Sequence, residues 1–256
     1  MRFYYAADWN MKYLHVPNIL LSFGVVHNRK TGYNRKTEIS SSCRSLFLDC
    51  GAFTFRSGPY PWVEYYNWII DHVSSYPDVL DLVATVDVIG DYRKTVANGI
   101  RCIDMDTSLP WLPVLQGATV KEYVECLRMY EAADIDVSYC AVGGLKPKNQ
   151  YLKRAILDRL SQEMVHLHGF GLVLKDLRDA TIYNAVRSAD SASWKNRPQT
   201  NKEKFINLEK FMVQLEEIKT IHTLQTTLEE KRKIFQKATS GATMTAEAKS
   251  TRTTKL

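Results

Sequence analysis

Residues able to do chemistry stand at the ends of several apolar runs. Asp8 follows residues 3–7, Asp49 follows 45–48, Asp87 follows 82–86 and Asp190 follows 185–189. Gln116 and Gly117 follow 111–115, Gly143 and Gly144 follow 137–142, and His168 with Gly169 ends 164–169. Two carboxyls facing each other across a cleft suit attack at an anomeric carbon. One attacks, and the other moves the proton on the leaving group. A purine leaving a ribose or deoxyribose poses the same problem as an aglycone leaving a sugar. A further Asp accepts from the N1 and exocyclic amine protons of guanine, and the Gln116 amide donates to its O6. Gly143 and Gly144 let backbone approach a flat ring closely. Adenine N1 carries no proton for an ionised Asp, so the set suits guanine. Singly, each residue has a plainer explanation. Asp after a strand commonly caps the next helix, which fits Asp190 with Ser191. Gly there makes a turn, and His168 fits a satisfied polar group against a core. Helix capping, however, has no use for Gln116.

For these residues to meet, the runs must be strands whose C-terminal ends share one rim. Eight runs have strand length and aliphatic, aromatic or β-branched content: 3–7, 20–26, 45–48, 82–86, 111–115, 137–142, 164–169 and 185–189. Between them lie helical spacings. Val63, Tyr66, Ile70 and Val73 form one face; Val120, Val124, Leu127 and Tyr130 a second; Leu152, Ile156 and Leu160 a third. Strands alternating with helices mean parallel β/α units. Eight units predict an α/β fold of the closed (β/α)₈ TIM type, with an open doubly wound sheet as the alternative.

The predicted barrel occupies residues 1–197. A helical extension follows over 198–237, with Phe205, Leu208, Met212, Leu215 and Ile218 at amphipathic spacing. Residues 238–256 are mainly Ala, Thr, Ser and Lys, too polar to offset chain entropy, and are expected to be a disordered basic tail. Hydrophobic residues at 45% and charged residues at 24% exclude a wholly disordered or collagen-like chain. The net charge of +6 comes entirely from residues 195–256, as expected of an appendage meeting a polyanion or of a soluble basic tail. Arg29, Lys30, Arg35 and Lys36 form a repeated basic element, Asn-Arg-Lys-Thr, after the second run. It reads either as a solvated loop or as a phosphate-gripping arm, with Tyr33 available to stack. The five cysteines form no Cys-x-x-Cys pair, so neither a disulfide scaffold nor a metal site is expected. No leader and no membrane-length apolar run is read, and the reducing cytoplasm is the expected compartment.

Residues 48–54 (LDCGAFT) resemble the Asp-Ser-Gly-Gly-Phe element of the tRNA-guanine transglycosylase superfamily. Residues 113–117 (PVLQG) resemble its Gln-Gly element, and 142–145 its glycine turn. Residues 167–172 (LHGFGL), 188–191 (SADS) and the Val16-Pro17 opening are similar to one branch, the deazapurine DNA-modification transglycosylases. The resemblance spans residues 1–197 and implies exchange of guanine in DNA for a free 7-deazaguanine base such as a 7-cyano derivative, without a cofactor. It implies Asp190 as the nucleophile of a covalent intermediate and Asp49 as the general acid/base. Asp87, Gln116, Gly117, Gly143 and Gly144 would read the base, and Phe53 and His168 would flank it. Two features depart from the pattern. Ala52 replaces the family's second Gly, which predicts a narrower space beside the base. No Cys follows Cys140, so the zinc site of the tRNA enzymes is missing. The same exchange on tRNA is thereby disfavoured. A barrel that binds nucleic acid without chemistry, alongside a partner protein, is the remaining alternative.

Overall fold

A computed structural model describes residues 1–7, 10–11, 15–28, 30–31, 37–163, 165–195 and 200–250. The main sheet is wholly parallel. Its strands are β1 (Arg2–Ala6), β2 (Asn18–Ser22), β3 (Ser45–Asp49), β4 (Leu80–Ala84), β5 (Trp111–Leu112 and Val114–Leu115), β6 (Tyr139–Val142), β7 (His166–Gly169) and β8 (Ser188–Ser191).

The two halves of β5 close the barrel. Trp111–Leu112 pairs with β4, and Val114–Leu115 pairs with β6. Pro113 has no N–H to donate, so one strand can change partners there without losing a ladder bond. The Pro113 carbonyl accepts from Ala141 N–H at 2.8 Å. The Val114 N–H turns to the buried Thr85 hydroxyl at 3.0 Å. The predicted (β/α)₈ barrel is therefore present.

Inward side chains from several strands fill the barrel: Tyr4, Ala6, Leu20, Phe47, Ala84, Leu112, Val114 and Ala141. Side chains alternate faces along a strand. Two residues beyond Phe47, Val114 and Ala141 come Asp49, Gln116 and Gly143, so the chemistry sits one layer above the core on the same face. The helices Trp62–Ser75, Tyr92–Met105, Val120–Ala132 and Gln150–Ser161 are the crossovers. Val120–Ala132 starts on a Thr119–Glu122 capping box.

Several strand limits differ from the sequence expectation. The run 20–26 is a strand only to Ser22, after which Phe23–Val26 makes one helical turn. Phe23 is held there by rings on all sides, with His27, Tyr65, Phe55 and Trp68 at 4.7–5.4 Å. Asp190 lies inside β8 rather than after it. The last helix runs Asn201–Ser250. The chain divides into two compact units, Met1–Leu208 and Glu209–Leu256. No helix among the described residues is long and apolar enough to cross a membrane.

The closure at Thr85 is open to test. Thr85→Val keeps the shape but leaves a buried N–H without its acceptor. Urea unfolding is expected to show a loss of about 1–3 kcal/mol.

Candidate active site

Asp49 ends β3, and the chain then turns sharply. Gly51 has φ 73°, and a Cβ there would lie 2.3 Å from the Gly24 backbone nitrogen. Only glycine fits, and its N–H donates to the Asp49 carboxyl at 3.2 Å. The family's second glycine position, Ala52, begins the helix Ala52–Phe55. The close approach that forbids a side chain is thus at Gly51. Burial pushes the Asp49 pKa up from 3.8 to about 7, helped by the negative charges of Asp87 and Asp190; hydrogen bonds from Ser22 and the Gly51 N–H pull the other way.

Asp87 lies just beyond β4. Cys50 Sγ donates to its Oδ1 at 3.0 Å, and Gln116 Nε2 donates to its Oδ2. Burial raises the Asp87 pKa, against the pull of these two donors. Gln116 is 1% exposed, and its Oε1 accepts from the Gly90 N–H at 3.4 Å. A Cβ on Gly143 would sit 2.3 Å from Gln116 Nε2 and 3.1 Å from Asp87 Oδ2, and one on Gly144 2.6 Å from Gln116 Oε1. The glycine pair makes room for the amide itself. Tyr123 OH donates to the Gly143 carbonyl at 2.6 Å. Lys148 Nζ donates to the Gly117 and Gly144 carbonyls at 3.1 and 3.0 Å.

Asp190 is buried on β8. Its Oδ1 accepts from the Gly171 N–H at 2.9 Å and lies 3.3 Å from His168 Nε2. Asp49, Asp87, Gln116, Gly143 and Asp190 therefore converge, and Asp49 senses both other carboxyls. Phe53 is 64% exposed. The Arg56 guanidinium lies 4.8 Å and the Lys146 ammonium 6.0 Å from its ring centre.

His168 requires a correction. It is fully buried, between Phe47 at 4.9 Å and Phe170 at 4.8 Å. A ring with no exposed face cannot flank a base; it bonds to Asp190 instead. Of the basic element, Lys30 is exposed, while Arg29, Arg35 and Lys36 lie outside the described residues, as do Asp8 and Tyr33. Sequence reasoning missed Ser22, Cys50, Tyr123 and Lys148. Only Cys50 carried a signal, because it stands at the serine position of the family element. Among the described residues no group of His, Cys, Asp and Glu is arranged to hold a metal ion.

A carboxyl with a raised pKa weakens the fold at high pH. Below about pH 3.8 the folded and unfolded chains both hold the proton, and no penalty exists. Between 3.8 and about 7 the unfolded chain ionises first, so the penalty grows, then levels off. Asp49→Asn removes it. The variant is expected to melt several degrees above the parent at pH 8 and level with it at pH 4, by thermal denaturation.

No curated protein matches the chain. The family model for DpdA, deoxypurine in DNA protein A, matches residues 56–205. That span carries Asp87, Gln116, Gly143, His168 and Asp190 on the barrel just described. It covers more than half of the sequence, and the chain belongs to the DpdA family.

Proposed function

We propose that the protein exchanges guanine in DNA for a 7-deazaguanine base through a covalent aspartyl-glycosyl intermediate. Membership of the DpdA family supports DNA deazapurine modification as the setting. The observation that carries the chemical reading is the different setting of the two carboxyls. Burial pushes the Asp49 pKa up to about 7, while Asp190 Oδ1 accepts from the Gly171 N–H at 2.9 Å and lies 3.3 Å from His168 Nε2. Different surroundings let two carboxyls divide the roles of acid and nucleophile.

The target nucleotide leaves the stack and enters the barrel mouth. Asp190 Oδ2 attacks C1′ as the bond to guanine breaks. Protonated Asp49 gives its proton to the departing purine. The incoming deazaguanine then attacks C1′ through its ring nitrogen, Asp190 departs, and the ring N–H proton passes to Asp49. One N-glycosidic bond replaces another, so no energy source is needed. Asp87 and Gln116 read the base: Asp87 accepts from the N1 and exocyclic amine protons, and the second Gln116 Nε2 hydrogen donates to O6. Phe53 with Arg56 and Lys146 offers a stacking face and two cations to neighbouring nucleotides.

Labelled guanine, or a 7-cyano-7-deazaguanine, is expected to enter DNA but not tRNA on incubation with the protein. Asp190→Asn is expected to abolish the covalent enzyme–DNA adduct trapped on denaturing gels. An adduct of undiminished yield would remove Asp190 from the role, and exchange into tRNA alone would overturn the DNA reading. Binding without exchange on any nucleic acid would favour a non-catalytic barrel.

The acid role predicts a pH dependence. Adduct formation needs Asp49 protonated, so its rate is expected to fall as pH rises through about 7. Asp49→Asn is expected to slow it by about 10²–10⁴-fold and to remove that limb of the profile.

A further inference from the structure

We propose that His168 is a positioning residue for Asp190, locked in one tautomer by a hydroxyl chain inside the barrel. The inference rests on the reading of Asp190 as nucleophile. Tyr139 OH lies 2.6 Å from Ser188 Oγ, Ser188 Oγ lies 2.6 Å from His168 Nδ1, and His168 Nε2 lies 3.3 Å from Asp190 Oδ1. Ser188 and Asp190 are two apart on β8, so both point inward and can reach the two nitrogens of one ring.

Proton accounting fixes the direction of the chain. A nucleophilic carboxylate only accepts, so Nε2 carries hydrogen. In a neutral ring Nδ1 is then an acceptor, and Ser188 must donate to it. Having used its single hydrogen, Ser188 accepts from Tyr139. Every bond therefore points towards Asp190. Phe47, Phe170 and Tyr4 pack edge-on to the imidazole, at 4.9, 4.8 and 5.8 Å between ring centres, and fix its plane.

The consequence concerns which oxygen reacts. The Gly171 N–H and the His168 Nε2–H both bind Oδ1. Among the described residues no hydrogen bond reaches Oδ2, which is left for C1′. When the intermediate breaks down, Asp190 is the leaving group, and the same two donors meet the charge returning to the carboxylate. His168 thus acts on the chemical step through Asp190 and does not touch the base.

Two measurements test this. In the full chain with ¹⁵N-labelled histidine, the His168 signal is assigned by its loss in His168→Gln. It is expected to be the neutral form protonated at Nε2, and to lose that single tautomer in Ser188→Ala. A ring protonated at Nδ1 in the parent, or one unchanged in Ser188→Ala, overturns the chain. In single-turnover adduct formation, His168→Leu is expected to lower the maximal rate about tenfold to a hundredfold, with the half-saturating DNA concentration within about twofold of the parent. His168→Gln, which keeps a donor, is expected to recover part of that loss, and Tyr139→Phe to lose less than His168→Leu. Equal losses in the Leu and Gln variants, or a loss confined to DNA affinity, would overturn the positioning role. Absence of exchange by the parent would instead overturn the base-exchange reading, and the tautomer measurement would still decide whether the hydroxyl chain exists.

Discussion

Three carboxyls share one water-poor barrel mouth, and the rest of the site answers that crowding. Like charges in a desolvated space cannot all ionise freely. Each carboxyl has acquired different neighbours. Asp190 is met by a backbone N–H and an imidazole, Asp87 by a thiol and an amide, and Asp49 by a hydroxyl and a backbone N–H. Those neighbours do not prevent burial and two nearby negative charges from keeping a proton on Asp49 up to about pH 7. The arrangement converts similar side chains into an acid, a base reader and a nucleophile in the proposed reaction.

The barrel supplies this crowding through its pleat. Ser45, Phe47 and Asp49 share one face of β3, and Ser188 and Asp190 share one face of β8. The interior runs from polar side chains below, through a ring-rich middle, to carboxyls above. At the lower end Asp81 accepts from Tyr4 and Ser45 at 2.8 and 2.6 Å, and from Arg2. A shift of one residue in any strand would send its carboxyl outward. Closure therefore matters to chemistry. The change of partners at Pro113 aligns β5 with both neighbours and places Gln116 beside Asp87 and Gly143.

Much of this was legible in the sequence because it depends on local pattern. Short apolar runs ending in Asp, Gln or Gly mark strands and rim together, and the eight-unit barrel follows from their alternation with helical spacings. Strand limits were less legible where packing overrides propensity. Phe23–Val26 is apolar enough for a strand, yet its ring cluster and the Gly24–Gly51 approach draw it into a helical turn. The place of His168 was not legible, because its partners lie on β6 and β8, far away in the chain. Ser188 and Tyr139 carry no local mark of their role, and only the parallel register that sets His168 opposite Ser188 brings them together.

The glycines of the rim show how the crowding limits change. Gly51, Gly143 and Gly144 all stand where an added Cβ would strike another atom at 2.6 Å or less. At Gly51 that atom is the backbone of Gly24, which cannot give way. At Gly143 and Gly144 it is the Gln116 amide, held in turn by Asp87 and the Gly90 N–H. An alanine at either of those two positions would displace the amide from Asp87 and leave buried polar atoms unpaired, which costs more than the methyl contact returns. The stiffness of the site is therefore distributed. The glycines leave the amide its space, the amide orients Asp87, and the charge on Asp87 helps hold the proton on Asp49.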